Sequence, residues 1–210
     1  MTPAPKTVDV QAVAVHLVDD EAPVRDALEF LFSSHGFKVR SYASGPELLA
    51  ALDGPTPVRG CILLDVRMEP MSGLQVHDTL VARGVPVPVI FLTGHGDIPM
   101  AVEALKKGAF DFVEKPFGDA ALVDRVRDAL AAEAVQQLRL AEGDARGAKL
   151  AGLTPREQDV MQRVAAGKLN KVIADEMHVS MRTVEVYRAR VYAKLGVRSA
   201  AEVATLLARG

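Results

Sequence analysis

Three acids, a hydroxyl and a lysine recur in this sequence at one kind of place, the end of a short apolar run. Asp19 and Asp20 follow AVAVHLV (12–18), Asp65 closes CILLD (61–65), Thr93 closes VPVIFLT (87–93), and Lys115 follows DFVE (111–114). If these runs are parallel strands, ligands bind outside their carboxyl ends, and all five side chains lie there. Three carboxylates gathered at one edge repel, and each resists ionising. A hard divalent cation with oxygen ligands relieves that repulsion, and Mg²⁺ is the usual one beside a phosphate. Lys115 and Thr93 would then contact phosphate oxygens. The chemistry that this set points to is metal and phosphate binding.

The elements needed to position the set are legible. A further β-type run, KVRSY (38–42), completes five strands, and amphipathic helical stretches fall near 22–34, 46–52, 73–83 and 98–107. Continuous apolar strands separated by helices predict an α/β domain with a doubly wound parallel sheet. With strand order 2-1-3-4-5, the first and third strands are neighbours, so Asp19, Asp20 and Asp65 converge. Ser44 with Glu47 has capping-box spacing, and Gly36, Gly84 and Gly108 fall where helices should stop. A fifth helix is expected over 119–141. The stretch EGDARGAKLAG (142–152) is small, polar and Gly-rich, and reads as a flexible joint. Cys61 lies in an apolar run and reads as core, and the five histidines share no metal-ligand spacing.

The segments HLVDDE, LLDVRM, FLTGHGD and FVEKPF resemble the signatures of response-regulator receiver domains, especially the FixJ-like subgroup, over about residues 12–130. The resemblance implies a flavodoxin-like (βα)5 fold with Asp65 as phosphoacceptor, taking its phosphoryl group from a sensor histidine kinase. It implies a Mg²⁺ site made by Asp20 directly, Asp19 through water, Asp65, and the backbone carbonyl of Arg67. It gives Thr93 and Lys115 contacts to the phosphoryl group, Phe112 the place of an aromatic switch, and Lys115–Pro116 a bond often cis. The subgroup commonly reads Pro-Gly where this chain has Glu69-Pro70, which reads best as a tolerated loop variant.

The remainder of the chain has a different character. Net charge is -2 overall, but residues 151–210 hold ten Lys and Arg against six Asp and Glu, while residues 1–150 hold fifteen against twenty-one. A basic tail behind an acidic front predicts polyanion binding by the tail. Thr154-Pro155-Arg156-Glu157 is a capping box with Pro at the first helical position, and Ser199 with Glu202 is a second box. Helices are expected to Gly167, at 170–177, from Ser180 to Gly196, and from 199 onward, a compact helix-turn-helix unit.

In the third of these helices Val184, Val191 and Leu195 share the core face, opposite Arg182, Glu185, Val186, Ala189 and Ala193. Residues 153–207 resemble the LuxR-type DNA-binding domain, carried by Leu153-Thr154-Pro155-Arg156-Glu157, Gly167, Asn170-Lys171, Thr183-Val184 and Lys194-Leu195. The resemblance places Glu185, Val186 and Ala189 at base edges of double-stranded promoter DNA. Lys171, Arg182, Thr183 and Lys194 read as phosphate contacts, with Arg190 adding charge. It also implies a homodimer on phosphorylation, with Val203, Leu206 and Leu207 as a dimer contact, and RNA polymerase as a further partner.

The expected organisation is a tail (1–11), a receiver (12–130), a linker (131–152) and a helix-turn-helix domain (153–210). A single cysteine, no long apolar span and no signal-peptide pattern fit a cytoplasmic protein without membrane contact. A haloacid-type phosphatase would need a second Asp two residues after the nucleophile, and Arg67 stands there. An adaptor without DNA recognition is disfavoured by the intact 180–195 helix.

Overall fold

The structure, a computed structural model, describes residues 13–54, 58–94 and 98–208. The tail 1–11, the first residue of the first expected strand and His95 lie outside the described residues. The chain divides into two compact units between Gln136 and Gln137.

In the N-terminal unit, β1 (Val13–Val18), β2 (Val39–Tyr42), β3 (Arg59–Asp65), β4 (Val89–Thr93) and β5 (Asp111–Glu114) form one sheet in the order β2-β1-β3-β4-β5, every pairing parallel. Between them run α1 (Ala22–Ser34), α2 (Gly45–Leu52), α3 (Gly73–Ala82) and α4 (Ile98–Lys106), and α5 (Asp119–Ala151), of which residues 119–136 belong to this unit, follows β5. Pleating sends alternate residues of β3 and β4 to opposite faces. Cys61, Leu63, Ile90 and Leu92 join Leu28 and Phe32 of α1 and Leu122, Val123 and Val126 of α5. Ile62, Leu64, Val89 and Phe91 join Leu48 of α2, Val76 and Leu80 of α3, and Ala104 of α4. Two cores on one sheet explain why these strands are apolar without alternation.

His16 is the polar exception inside β1. It is 1% exposed, with Nδ1 at 3.1 Å from the Tyr42 hydroxyl and Nε2 at 3.2 Å from the Arg59 carbonyl oxygen. Burial pushes its imidazole down to about 4. A folded-state value below the ordinary one means that the unfolded chain takes up a proton first. Stability is therefore full above about pH 6.5 and falls as pH drops towards 4. Between pH 7 and pH 5 this site is expected to remove about 2 kcal/mol. Urea unfolding at the two pH values should show that loss in the wild type and not in His16→Gln. Equal pH dependence in both would remove His16 as the cause.

The expected flexible joint is a correction. Residues 142–151 continue α5, which is helical over 33 residues. Gly143 and Gly147 each cost roughly 1 kcal/mol relative to Ala in a helix. Their neighbours Ala141, Glu142, Ala145, Arg146, Ala148, Lys149 and Leu150 are strong helix formers, with Glu142 and Arg146 at favourable spacing, and they outweigh that cost.

In the C-terminal unit, α6 (Pro155–Ala165), α7 (Asn170–Met177), α8 (Met181–Leu195) and α9 (Ala200–Ala208) enclose a core of Leu153, Val160, Val164, Ile173, Val184, Val191, Leu195 and Val203. The Thr154–Glu157 capping box is formed, and Gly167 and Gly196 adopt the left-handed turn that follows α6 and α8. Val203 is fully buried in this core and Leu207 packs half-buried against it, while Leu206 is half-buried outside it, so Val203 is not available for the expected dimer contact. Among the described residues no helix is long and apolar enough to cross a membrane.

Candidate functional site

Strand register builds the first site. Val18 pairs with Leu64, which sets Asp19 beside Asp65, and Asp65 pairs with Leu92, which sets Thr93 one residue beyond it. Thr93 pairs with Glu114, so Lys115 stands one residue beyond in turn. Lys115 Nζ donates to Asp65 Oδ1 at 2.7 Å and to Asp19 Oδ2 at 3.1 Å. Asp65 Oδ2 accepts the Arg67 backbone N–H at 2.7 Å. The two acids are 2% and 7% exposed.

Burial raises the Asp65 carboxyl above the usual range, aided by Asp19 and opposed by the Lys115 and Arg67 hydrogen bonds. Burial alone would lower Lys115, but its bonds to Asp65 and Asp19 outweigh that and raise it. The Lys115–Pro116 bond is cis, as the resemblance implies, and so is Glu69–Pro70, with Glu69 exposed.

The approach of α3 supports this geometry. The first residue of α3, Gly73, donates its N–H to the Val66 carbonyl at 3.1 Å, and a Cβ there would fall 2.1 Å from the Asp65 carbonyl oxygen. Only a glycine lets the helix begin so close to the strand end.

Other expected residues stand as follows. Asp20 is exposed and outside the Asp19–Lys115–Asp65 cluster of bonds. Thr93 is fully buried, and its hydroxyl donates to the Val113 carbonyl at 3.5 Å. Phe112 is partly buried against the α2–α4 core. One residue escaped the sequence reading: Arg25 of α1 donates from Nη1 to the Asp19 carbonyl at 2.7 Å. An arginine on a helix face carries no local signal that its partner is a main-chain oxygen of a preceding loop.

The second site is the exposed face of α8. Ser180 caps the helix by accepting the Thr183 N–H at 3.1 Å, and their hydroxyls lie 2.8 Å apart. Val184, Val191 and Leu195 are fully buried, as their spacing predicts. Arg182, Glu185, Val186, Ala189 and Arg190 are exposed, with Arg182 donating to Glu185 at 3.1 Å. Lys171 is exposed at the start of α7. Arg188 ties α8 to α7 by donating to Asn170 Oδ1 at 2.6 Å.

Lys194, expected on a phosphate, is paired within its own unit. Its ammonium donates to Glu157 Oε2 at 2.6 Å and to the Gly152 carbonyl at 3.1 Å. That bond, with the capping bonds from Thr154, holds the Glu157 carboxyl down at about 2, so the ammonium is engaged within the unit.

Residues 15–127 match the response regulator receiver domain family, and residues 151–207 match the luxR family of bacterial regulatory proteins. The chain therefore belongs to the response regulators that join a receiver to a LuxR-type helix-turn-helix domain, and within them to the FixJ/DctR subfamily. It is similar to the C4-dicarboxylate transport transcriptional regulatory protein DctR of Rhodobacter capsulatus, at 52% identity over 91% of this chain and 98% of that one. It is also similar to the transcriptional regulatory protein FixJ of Azorhizobium caulinodans, at 44% identity over 92% and 90%. Among solved structures, the response regulator StyR superposes with a TM-score of 0.87 at 36% identity, over 95% of this chain and 100% of that one.

The protein is thus a two-component transcription factor that binds DNA through its LuxR-type domain, and not a catalytic enzyme. Its receiver implies a histidine kinase partner and is of a kind that typically uses Mg²⁺.

Proposed function

We propose that Asp65 is the phosphoacceptor, and that its phosphorylation by a sensor histidine kinase promotes homodimerisation and promoter binding. The observation that carries this reading is the Lys115 ammonium bridging Asp65 and Asp19 at neighbouring strand ends. An Asp65 oxygen attacks phosphorus in line; the P–N bond of the phosphohistidine breaks as the P–O bond of the acyl phosphate forms. Lys115 turns from the two carboxylates to the phosphoryl oxygens. Thr93 exchanges the Val113 carbonyl for the phosphoryl group, and Phe112 moves with it.

The donor types suit a hard divalent cation: the Asp19 and Asp65 carboxylates already share the Lys115 ammonium, and Asp20, next in sequence to Asp19, and the Arg67 carbonyl would complete the set. Mg²⁺, when held there, neutralises charge on the phosphoryl group in transfer.

We take residues 12–130 as the receiver, 131–152 as the linker and 153–210 as the DNA-binding domain, acting in the cytoplasm. RNA polymerase is a further partner of the DNA-bound dimer. On α8, Glu185, Val186 and Ala189 face base edges. Lys171, Arg182, Thr183 and Arg190 serve the phosphates, and Lys194 leaves that set because Glu157 holds it. Likeness to the Rhodobacter regulator makes promoters of C4-dicarboxylate transport genes the first operators to test.

Two substitutions test the DNA assignment on phosphorylated protein. Val186 is 40% exposed and apolar, so Val186→Ala should alter preference at one base position more than overall affinity. Lys171→Ala should weaken all sequences alike and reduce the salt slope by about one unit, because one DNA phosphate is no longer neutralised. Binding to operator variants across salt concentrations reads both. A uniform loss in Val186→Ala would show that α8 does not present this side chain to bases.

A further inference from the structure

Every polar atom of Asp19 is engaged. Its N–H reaches the Tyr42 carbonyl at 3.4 Å, Oδ1 accepts the Glu21 N–H at 2.9 Å, and Oδ2 accepts Lys115. Its carbonyl oxygen takes Arg25 Nη1 at 2.7 Å, within the range of charge-assisted bonds. Glu29 stands four residues along α1 from Arg25, the spacing at which Arg and Glu ordinarily pair. Glu29 instead accepts the Ser41 hydroxyl at 2.8 Å, and the guanidinium is directed to a main-chain oxygen outside its own helix.

That oxygen belongs to the peptide plane joining Asp19 to Asp20. The plane is rigid, so holding its carbonyl also fixes the nitrogen and Cα of Asp20. Asp20 depends on such a constraint, because it is exposed and, among the described residues, no side-chain bond of its own directs it.

We propose that Arg25 is a positioning residue for phosphoryl transfer to Asp65: by gripping the Asp19–Asp20 peptide it fixes the direction from which Asp20 offers its carboxylate to a divalent cation. The inference rests on the reading of Asp65 as phosphoacceptor. Partners that orient metal ligands typically change affinity 10–100-fold when removed. Lysine at this position would keep the charge but lose the planar fork that matches the carbonyl.

The test uses the full chain with Arg25→Met and Arg25→Lys. Mg²⁺ is titrated calorimetrically into unphosphorylated protein, and labelling from acetyl phosphate is followed across Mg²⁺ concentrations. Arg25→Met is expected to raise the Mg²⁺ dissociation constant about tenfold, with the labelling rate reduced at low Mg²⁺ and restored at saturation. Arg25→Lys should fall between it and the wild type. A Mg²⁺ dissociation constant in Arg25→Met within about twofold of wild type overturns the proposal. So does a labelling defect that saturating Mg²⁺ leaves in place. If circular dichroism shows Arg25→Met unfolded, Arg25→Lys decides alone: weaker Mg²⁺ binding supports the proposal and unchanged binding overturns it. Wild-type protein that takes no label at Asp65 would instead sink the phosphoacceptor reading itself.

Discussion

Asp65→Asn is expected to reduce phosphoryl acceptance to background, a loss of at least about a thousandfold, because a carboxamide oxygen is a poor nucleophile and cannot form the acyl phosphate. The change is nearly isosteric, and Asn can still accept the Arg67 N–H that Asp65 Oδ2 accepts. Lys115 retains Asp19. The folded state should therefore survive. Its stability should hold or rise, since the burial that raises the Asp65 carboxyl shows that the folded site resists that negative charge. Radiolabel from a phosphorylated kinase or acetyl phosphate, together with a thermal melt, reads both effects. Labelling at the wild-type rate in a folded variant would move the acceptor to another residue.

The second large effect lies at a buried ion pair. Arg59, the first residue of β3, donates from Nε and Nη2 to the two carboxylate oxygens of Glu133 on α5. The Glu133 side chain is 1% exposed and that of Arg59 18%. Arg59→Met leaves a carboxylate without its counter-ion in a closed site and should cost about 3 kcal/mol. Glu133→Leu should cost less, because the freed guanidinium can reach water. The double variant should return close to wild type, since a buried pair and apolar residues of similar volume are often of equal worth. Denaturant unfolding of the four proteins gives the coupling energy. A loss below about 1 kcal/mol in Arg59→Met would mean that water already screens the pair. The Glu133 charge does reach the sheet interior. With burial as the larger cause, it helps to push the nearby Cys61 thiol up to about 12, which fits the core role read from the sequence.

What the sequence determined by itself is whatever depends on neighbours within a few turns of chain. Apolar runs named the strands, helical spacing named the buried face of α8, and Thr154 with Glu157 marked the start of α6. The ends of the strands located Asp19, Asp65, Thr93 and Lys115. Composition misread 142–151, because small polar residues satisfy a loop and a helix alike, and helix propensity among the neighbours of Gly143 and Gly147 was decisive.

The tertiary structure alone decided how far-separated groups are matched. Lys115 bonds across 96 and 50 residues to Asp19 and Asp65, and Arg59 across 74 to Glu133. Lys194 pairs with Glu157, 37 residues away, and Val203 is taken into the core of its unit. A charged or apolar side chain carries no mark of which distant partner will neutralise or cover it. That choice is made when the sheet and the helices pack, because burial makes an unpaired charge or an uncovered apolar face costly.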